Sequence, residues 1–188
     1  MHKSMFLTLL LTAAAVGQNQ PVDARTAAGC GPAKTAFEVK TDKRQHSLTQ
    51  PESGKALVFV IEDVTNPQAM TFGEVTTRVG LDGSWVGANR GRSYVSFAAE
   101  PGAHRVCADW QSSLKGLQRL SGAADLTVEA GKTYYYRAEV TIPWNGQADD
   151  HGNDQVGQLR VSAVDESEGL LLISKSASST WKAWKAKN

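Results

Sequence analysis

The sequence predicts an all-β protein: an antiparallel β-sandwich, immunoglobulin-like or transthyretin-like, of about seven to eight strands with an extended N-terminal segment. Three observations carry this expectation. Residues 75–110 read as four short strands separated by turn residues, with Asp82-Gly83 at a hairpin tip. Ala56-Leu57-Val58-Phe59-Val60-Ile61 is a continuous apolar run of strand length, β-branched enough for a strand buried on both faces. Thr133 to Ile142 alternates apolar and polar residues at the period of a half-buried antiparallel strand.

The chain begins with the pattern of a secretory signal. Lys3 supplies a positive start, Met5 to Val16 is a short apolar run, and Ala15-Val16-Gly17 offers small residues for cleavage. The run falls short of the about 20 residues needed to span a bilayer. Cleavage is expected near Gly17, with Ala14 and Ala15 as neighbouring alternatives. The segment Ala27-Ala28-Gly29-Cys30 resembles a lipidation box, but polar Gln18 to Thr26 separates that cysteine from the apolar run, which argues against a lipoprotein. The expected division is a signal over 1–17, a polar leader over 18–54, the sandwich over 55–174 and a basic tail over 175–188. The protein is therefore expected in the periplasm or outside the cell.

The whole chain carries 20 Lys+Arg against 19 Asp+Glu, and the signal contains one lysine and no acid. The mature chain is thus formally neutral, with no basic stripe for nucleic acid and no polybasic membrane anchor. No later segment is long and apolar enough to cross a membrane as a helix. Two cysteines remain, Cys30 and Cys107. In an exported chain an even count favours pairing, and a bridge closing so long a loop contributes about 4 kcal/mol in the chain-entropy view.

In the leader, Phe37-Glu38-Val39 is a short edge strand, and Gln50 to Gly54 is a turn. Glu62 to Glu74 is a polar connection. In the next strand Thr77, Val79 and Leu81 share one face, opposite Thr76, Arg78 and Gly80. Asn89-Arg90-Gly91-Arg92 reads as a loop, after which Val95 and Phe97 oppose Tyr94 and Ser96. Beyond Pro101-Gly102, the residues His104, Val106, Ala108 and Trp110 oppose Arg105, Cys107 and Asp109, so Cys107 faces away from the main apolar layer.

Gln111 to Ala124 is a loop with a possible helical turn, Asp125 to Glu129 a short strand, and Ala130-Gly131-Lys132 a tight turn. In the long strand that follows, alternation sends Tyr134 and Tyr136 inward and Tyr135 outward. Pro143 to Gly157 is a hydrophilic loop and Gln158 to Val164 a strand. Leu170 to Ile173 is a short helix or a final strand. The tail with Trp181 and Trp184 is either a loosely packed terminus or a helical turn with both indoles on one face, able to dock on a membrane.

Candidate chemistry is sparse. Trp85, beside the hairpin turn, is a core edge or a platform for a carbohydrate or other ligand. Arg90 and Arg92 form a solvated turn or a weak anion site. The loop Asp149-Asp150-His151-Gly152-Asn153-Asp154 offers hard oxygen ligands in Asp149, Asp150 and Asp154, but lacks the calcium-loop spacing and a terminal bidentate glutamate. No metal site and no cofactor are expected. Neither a Gly-x-Ser-x-Gly elbow nor a His-Glu-x-x-His helix is present, and His46, His104 and His151 are scattered. A cluster of His104 with Asp109 and Ser96 is the remaining route to a nucleophilic site.

The stretches KALVFVIED, TTRVGLDGSWVGANRG, EPGAHRVCADW and EAGKTYYYRAEV, over Lys55 to Ile173, resemble the bacterial family known as domain of unknown function 2846. The run Gly131 to Tyr136 is the most specific of these. GLDGSWVG followed by PGAHRV is also similar to surface-protein repeats named after a Pro-Glu-Gly-Ala motif, with the turn order changed at Glu100-Pro101-Gly102-Ala103. The resemblance implies a small exported β-sandwich and brings no catalytic residues. The leading expectation is a noncatalytic protein that binds an unknown envelope or extracellular partner, or supports structure there. The alternatives are an envelope hydrolase using His104, Asp109 or the acidic loop, and a metal-dependent carbohydrate- or peptide-binding module. A third route is strand addition of a partner at an exposed edge, beside the leader.

Overall fold

The run predicted to be covered on both faces is strand β2 (Ala56–Asp63), and all eight of its residues are buried. In this computed structural model the described residues are 29–44, 50–63, 75–111, 120–141 and 158–185, and they form two facing sheets. β2 pairs antiparallel with β5 (Ser93–Ala99) and parallel with β8 (Thr133–Thr141). β8 continues to β9 (Gln158–Val164). On the other side, β5 meets β10 (Ala177–Lys185), which pairs antiparallel with β1 (Thr35–Asp42). The second sheet is the antiparallel set β4 (Ser84–Arg90), β3 (Thr76–Leu81), β6 (Gly102–Gln111) and β7 (Ser121–Val128), in that order.

The prediction of two packed β-sheets holds, while strand number and pairing differ from it. The described residues contain ten strands, and the six-stranded sheet is mixed, because β2–β8 and β5–β10 run parallel. The extra strands come from the two ends of the chain. Phe37-Glu38-Val39 belongs to an eight-residue strand, and Ala177–Lys185 of the basic tail is β10, paired to β1 from Ser178 to Lys185. A strand sends residues at odd separation to opposite faces, so Trp181 and Trp184 cannot share one. Trp181 turns its ring edge to Phe37, with centroids 5.5 Å apart, and Trp184 stays exposed on the other face.

The inner core lies between the sheets and includes Val58, Val60, Val79, Val106, Ala108, Tyr136 and Ala138. The other face of the six-stranded sheet is covered as well. Leu57, Phe59, Ile61, Tyr94 and Tyr135 pack beneath Ile173 of helix α1 (Glu166–Ser174). Tyr135 points outward from the inter-sheet core as expected, and is buried there in a second apolar layer, stacked on Phe59 at 5.4 Å. Asp165 caps the helix by accepting the Glu168 backbone N–H at 2.8 Å.

Asp82 and Gly83 both have positive φ, +49° and +84°, the conformation a two-residue hairpin turn requires. Residues 29–34, just before β1, cross the outer face of the four-stranded sheet as a strap. The predicted Cys30–Cys107 disulfide anchors it, with a Cα–Cα distance of 5.2 Å and both cysteines buried. The strap lies so close that a Cβ on Gly80 would come within 2.9 Å of the Gly29 carbonyl oxygen. Glycine at position 80 is what lets the two backbones touch.

Candidate functional site

Trp85 and Arg78 stand under the strap. The Trp85 indole Nε1 donates to the Pro32 carbonyl at 3.0 Å, and a Cβ on Gly31 would fall 2.6 Å from its ring. The Arg78 guanidinium lies 4.9 Å from the same ring centroid, in cation–π range. It also donates to the carbonyls of Ala33, at 3.2 Å, and Thr35, at 2.8 Å. Its ion-pair partner is Asp109, bound through Nε and Nη2, with both side chains buried. Gln111 holds the start of β1 by accepting from the Phe37 N–H and donating to its carbonyl. The ring predicted as a possible ligand platform is thus engaged in clamping the strap.

A second polar cluster lies inside the sandwich. Thr77 of β3 is in register with Asn89 of β4 on one side and Trp110 of β6 on the other. These three side chains form a row on the inner face, opposite Glu62 of β2. All four residues are at most 2% exposed. Thr77 Oγ1 donates to Glu62 Oε1 at 2.8 Å, and Asn89 Nδ2 donates to the Val60 carbonyl at 2.9 Å, so both hydrogen bonds cross from sheet to sheet. Among the described residues, Glu62 Oε2, Asn89 Oδ1 and Trp110 Nε1 have no hydrogen-bond partner. Burial pushes the Glu62 carboxyl up to about 8, against the hydrogen bond from Thr77 that favours its ionised form. The group is therefore a neutral acid at neutral pH. Sequence reading placed Glu62 in a polar connection. The alternation Ala56, Val58, Val60, Glu62 along one face of β2 is the signal that puts it in the core.

A third feature is a fork in the six-stranded sheet. β10 pairs with β5 only at Ala177↔Ser93 and Ser178↔Tyr94. The β1–β10 ribbon then swings away to pack against β4, where Gly87 leaves room for both Val95 and the Trp181 indole. Between the diverging strands is a groove of about 320 Å³ lined by Tyr94, Val95, Ser96, Ser178, Ser179, Thr180 and Trp181. Its apex is closed by the Ser179–Ser93 hydroxyl pair at 2.8 Å and the Ala177 N–H to the Arg92 carbonyl at 3.1 Å. Arg92 is exposed at this apex, beside the turn at Gly91, whereas Arg90 is the last residue of β4. Trp85 sits at the opposite end of β4, about 17 Å from Arg90 at strand spacing. The three residues predicted as ligand contacts do not converge.

His104 does not meet Asp109 or Ser96. Five positions along β6 put His104 and Asp109 on opposite faces, and Ser96 belongs to the other sheet. The His104 ring bridges Asp82 Oδ2 through Nδ1 at 2.6 Å and the Glu100 carbonyl through Nε2 at 2.7 Å. Both partners are acceptors, so the doubly protonated ring satisfies both. The Asp82 hydrogen bond raises the His104 pKa, partial burial opposes it, and the Glu100 carbonyl adds to the rise. A raised histidine pKa contributes stability that is full below about pH 6.5 and fades as pH rises through the folded value. Proton NMR titration is expected to find His104 above the ordinary histidine value. Asp82→Asn is expected to bring it back toward that value.

Asp149, Asp150 and Asp154 lie outside the described residues. Comparisons with protein-family models, curated proteins and solved structures find no match to this chain.

Proposed function

We propose that this is an exported, noncatalytic β-sandwich protein that acts in the cell envelope or outside the cell by binding a partner. The observation that carries the reading is the buried Cys30–Cys107 disulfide, which closes a sequence separation of 77 residues and fixes the strap. Such bridges persist in oxidising compartments. The noncatalytic half is supported by how the candidate reactive groups are used. His104 is held between Asp82 and Glu100, and Asp109 is paired with Arg78.

Intact-mass analysis of protein purified from the envelope or the medium tests the address. The expected result is a chain lacking about the first 17 residues, with two thiols alkylated only after reduction. A full-length chain with two freely alkylated thiols would overturn it. Reduction of the purified protein is further expected to lower unfolding stability by about 4 kcal/mol, read as a shift in the denaturant midpoint.

A further inference from the structure

We propose that the fork between β5 and β10 receives an extended, carboxylate-bearing segment of a partner protein, which pairs with both strand edges and joins the sheet as a seventh strand. This deepens the binding reading above and rests on it for its biological setting. Strand addition is the recognition mode that main-chain edges dictate, since a row of N–H and C=O groups is matched best by another extended backbone.

The geometry suits that occupant. Past Ser178 the β5–β10 ladder stops, while β5 stays paired to β2 and β10 stays paired to β1 through Lys185. Two edges running in the same direction therefore face one groove, and a strand lying between them pairs with both in a single orientation. The sheet edge at β1 is the less suitable site, because the Gln111 side chain already bonds both the N–H and the carbonyl of Phe37 there. The lining matches a peptide of mixed character. Ser96, Ser178, Ser179 and Thr180 supply hydroxyls, and Trp181, 40% exposed, supplies an apolar wall.

Charge selects the side chains. Arg92 and Lys175 are exposed at the apex, and Lys182 and Lys185 are exposed along β10. Glu38 stands cross-strand from Lys182 and Asp42 cross-strand from Ser178, two acids against the four cations Arg92, Lys175, Lys182 and Lys185. The groove edge is therefore basic on a chain that is otherwise close to neutral. Lys182 and Lys185 are three apart and so lie on opposite faces of β10, and carboxylates on both faces of an added strand gain from them in encounter rate and in rim pairing.

The test uses the oxidised mature protein and capped heptapeptides that carry glutamates on both strand faces among valine and threonine, with lysine counterparts as controls. Amide hydrogen exchange and tryptophan fluorescence are the readouts. The expected result is saturable binding of the acidic peptides, with exchange slowed about tenfold or more over 95–98 and 179–183. The lysine peptides are expected to bind about fivefold more weakly. The exposed charge reversals Lys182→Glu and Lys185→Glu together are expected to abolish that preference with the circular dichroism spectrum unchanged. No protection at millimolar peptide, protection at the β7 or β9 edge instead, or equal binding of the lysine peptides would overturn the proposal. So would a dimer that shows the same protection without peptide, which would make a second copy the occupant. None of these outcomes bears on the mass measurement, so the groove and the address fail separately.

Discussion

Asp109→Ala is expected to destabilise the fold by about 3–5 kcal/mol, because it strands a buried guanidinium without its carboxylate. Arg78 and Asp109 are both almost wholly shielded from water, so the penalty is not screened as it would be at the surface. What would remain around Arg78 is the face of Trp85 and the two carbonyls of Ala33 and Thr35. Those same contacts hold the strap over the sheet, so the loss spreads from the ion pair to the segment that carries Cys30. Two measurements check this. Equilibrium denaturation gives the stability change, and the rate of Cys30–Cys107 reduction by dithiothreitol reports the strap. Both are expected to move together, with faster reduction in the variant at concentrations of denaturant where both proteins remain folded. A loss under about 1 kcal/mol with an unchanged reduction rate is what a solvated surface pair gives, and would contradict the clamp. Replacing both partners by apolar residues of similar size is expected to be milder than Asp109→Ala, since no uncompensated charge is left behind.

Legibility of this fold in the sequence follows how local each determinant is. The Asp82-Gly83 turn, the doubly buried β2 and the inward side of β5 and β6 rest on turn chemistry and a two-residue period, and these were readable. Phe37-Glu38-Val39 is legible as an edge strand, but the full length of β1 and the whole of β10 are not, because their pairing is non-local. β1 and β10 are far apart in sequence and stabilise one another only once folded. A clue was present in β10, where Ser179, Trp181 and Ala183 alternate with Ser178, Thr180 and Lys182. The run Leu170 to Ile173 suits a helix or a strand, and the capping-box spacing of Asp165-Glu166-Ser167-Glu168 ahead of it is the signal that decides for the helix. The Cys30–Cys107 pairing follows from an even cysteine count, and the face of Cys107 from alternation. Of the candidate sites, the fork could not be read, because it arises from two strands parting. The Glu62 row needed the register that aligns Asn89, Thr77 and Trp110.

Glu62 gives the largest expected dependence on pH. Its pKa is near 4.5 when exposed and is raised to about 8 in the fold by burial, against the stabilising hydrogen bond from Thr77. Below the exposed value the carboxyl is protonated in both states and costs nothing. Between that value and the folded one the unfolded chain ionises while the folded chain keeps its proton. Stability therefore falls as pH rises, at a slope approaching about 1.4 kcal/mol per pH unit, and levels off above the folded value. His104 changes in the same direction over the upper part of this range. Asp82 and Asp165, both held below their usual values, act oppositely but only toward acid pH. Glu62→Gln retains the shape and a carbonyl acceptor for Thr77 while removing the ionisation. The variant is expected to match the parent near pH 5 and to exceed it increasingly toward pH 8, up to a ceiling of about 5 kcal/mol. Denaturation curves at three pH values for both proteins check the divergence. Parallel pH profiles would show that water already reaches the carboxylate in the folded chain. If they diverge, ionisation of Glu62 charges the space between the sheets where Asn89 Oδ1 and Trp110 Nε1 lack partners among the described residues. Amide exchange in β3 near Thr77 and in β4 near Asn89 should then quicken with pH beyond its intrinsic rate, ahead of the β2–β8 ladder.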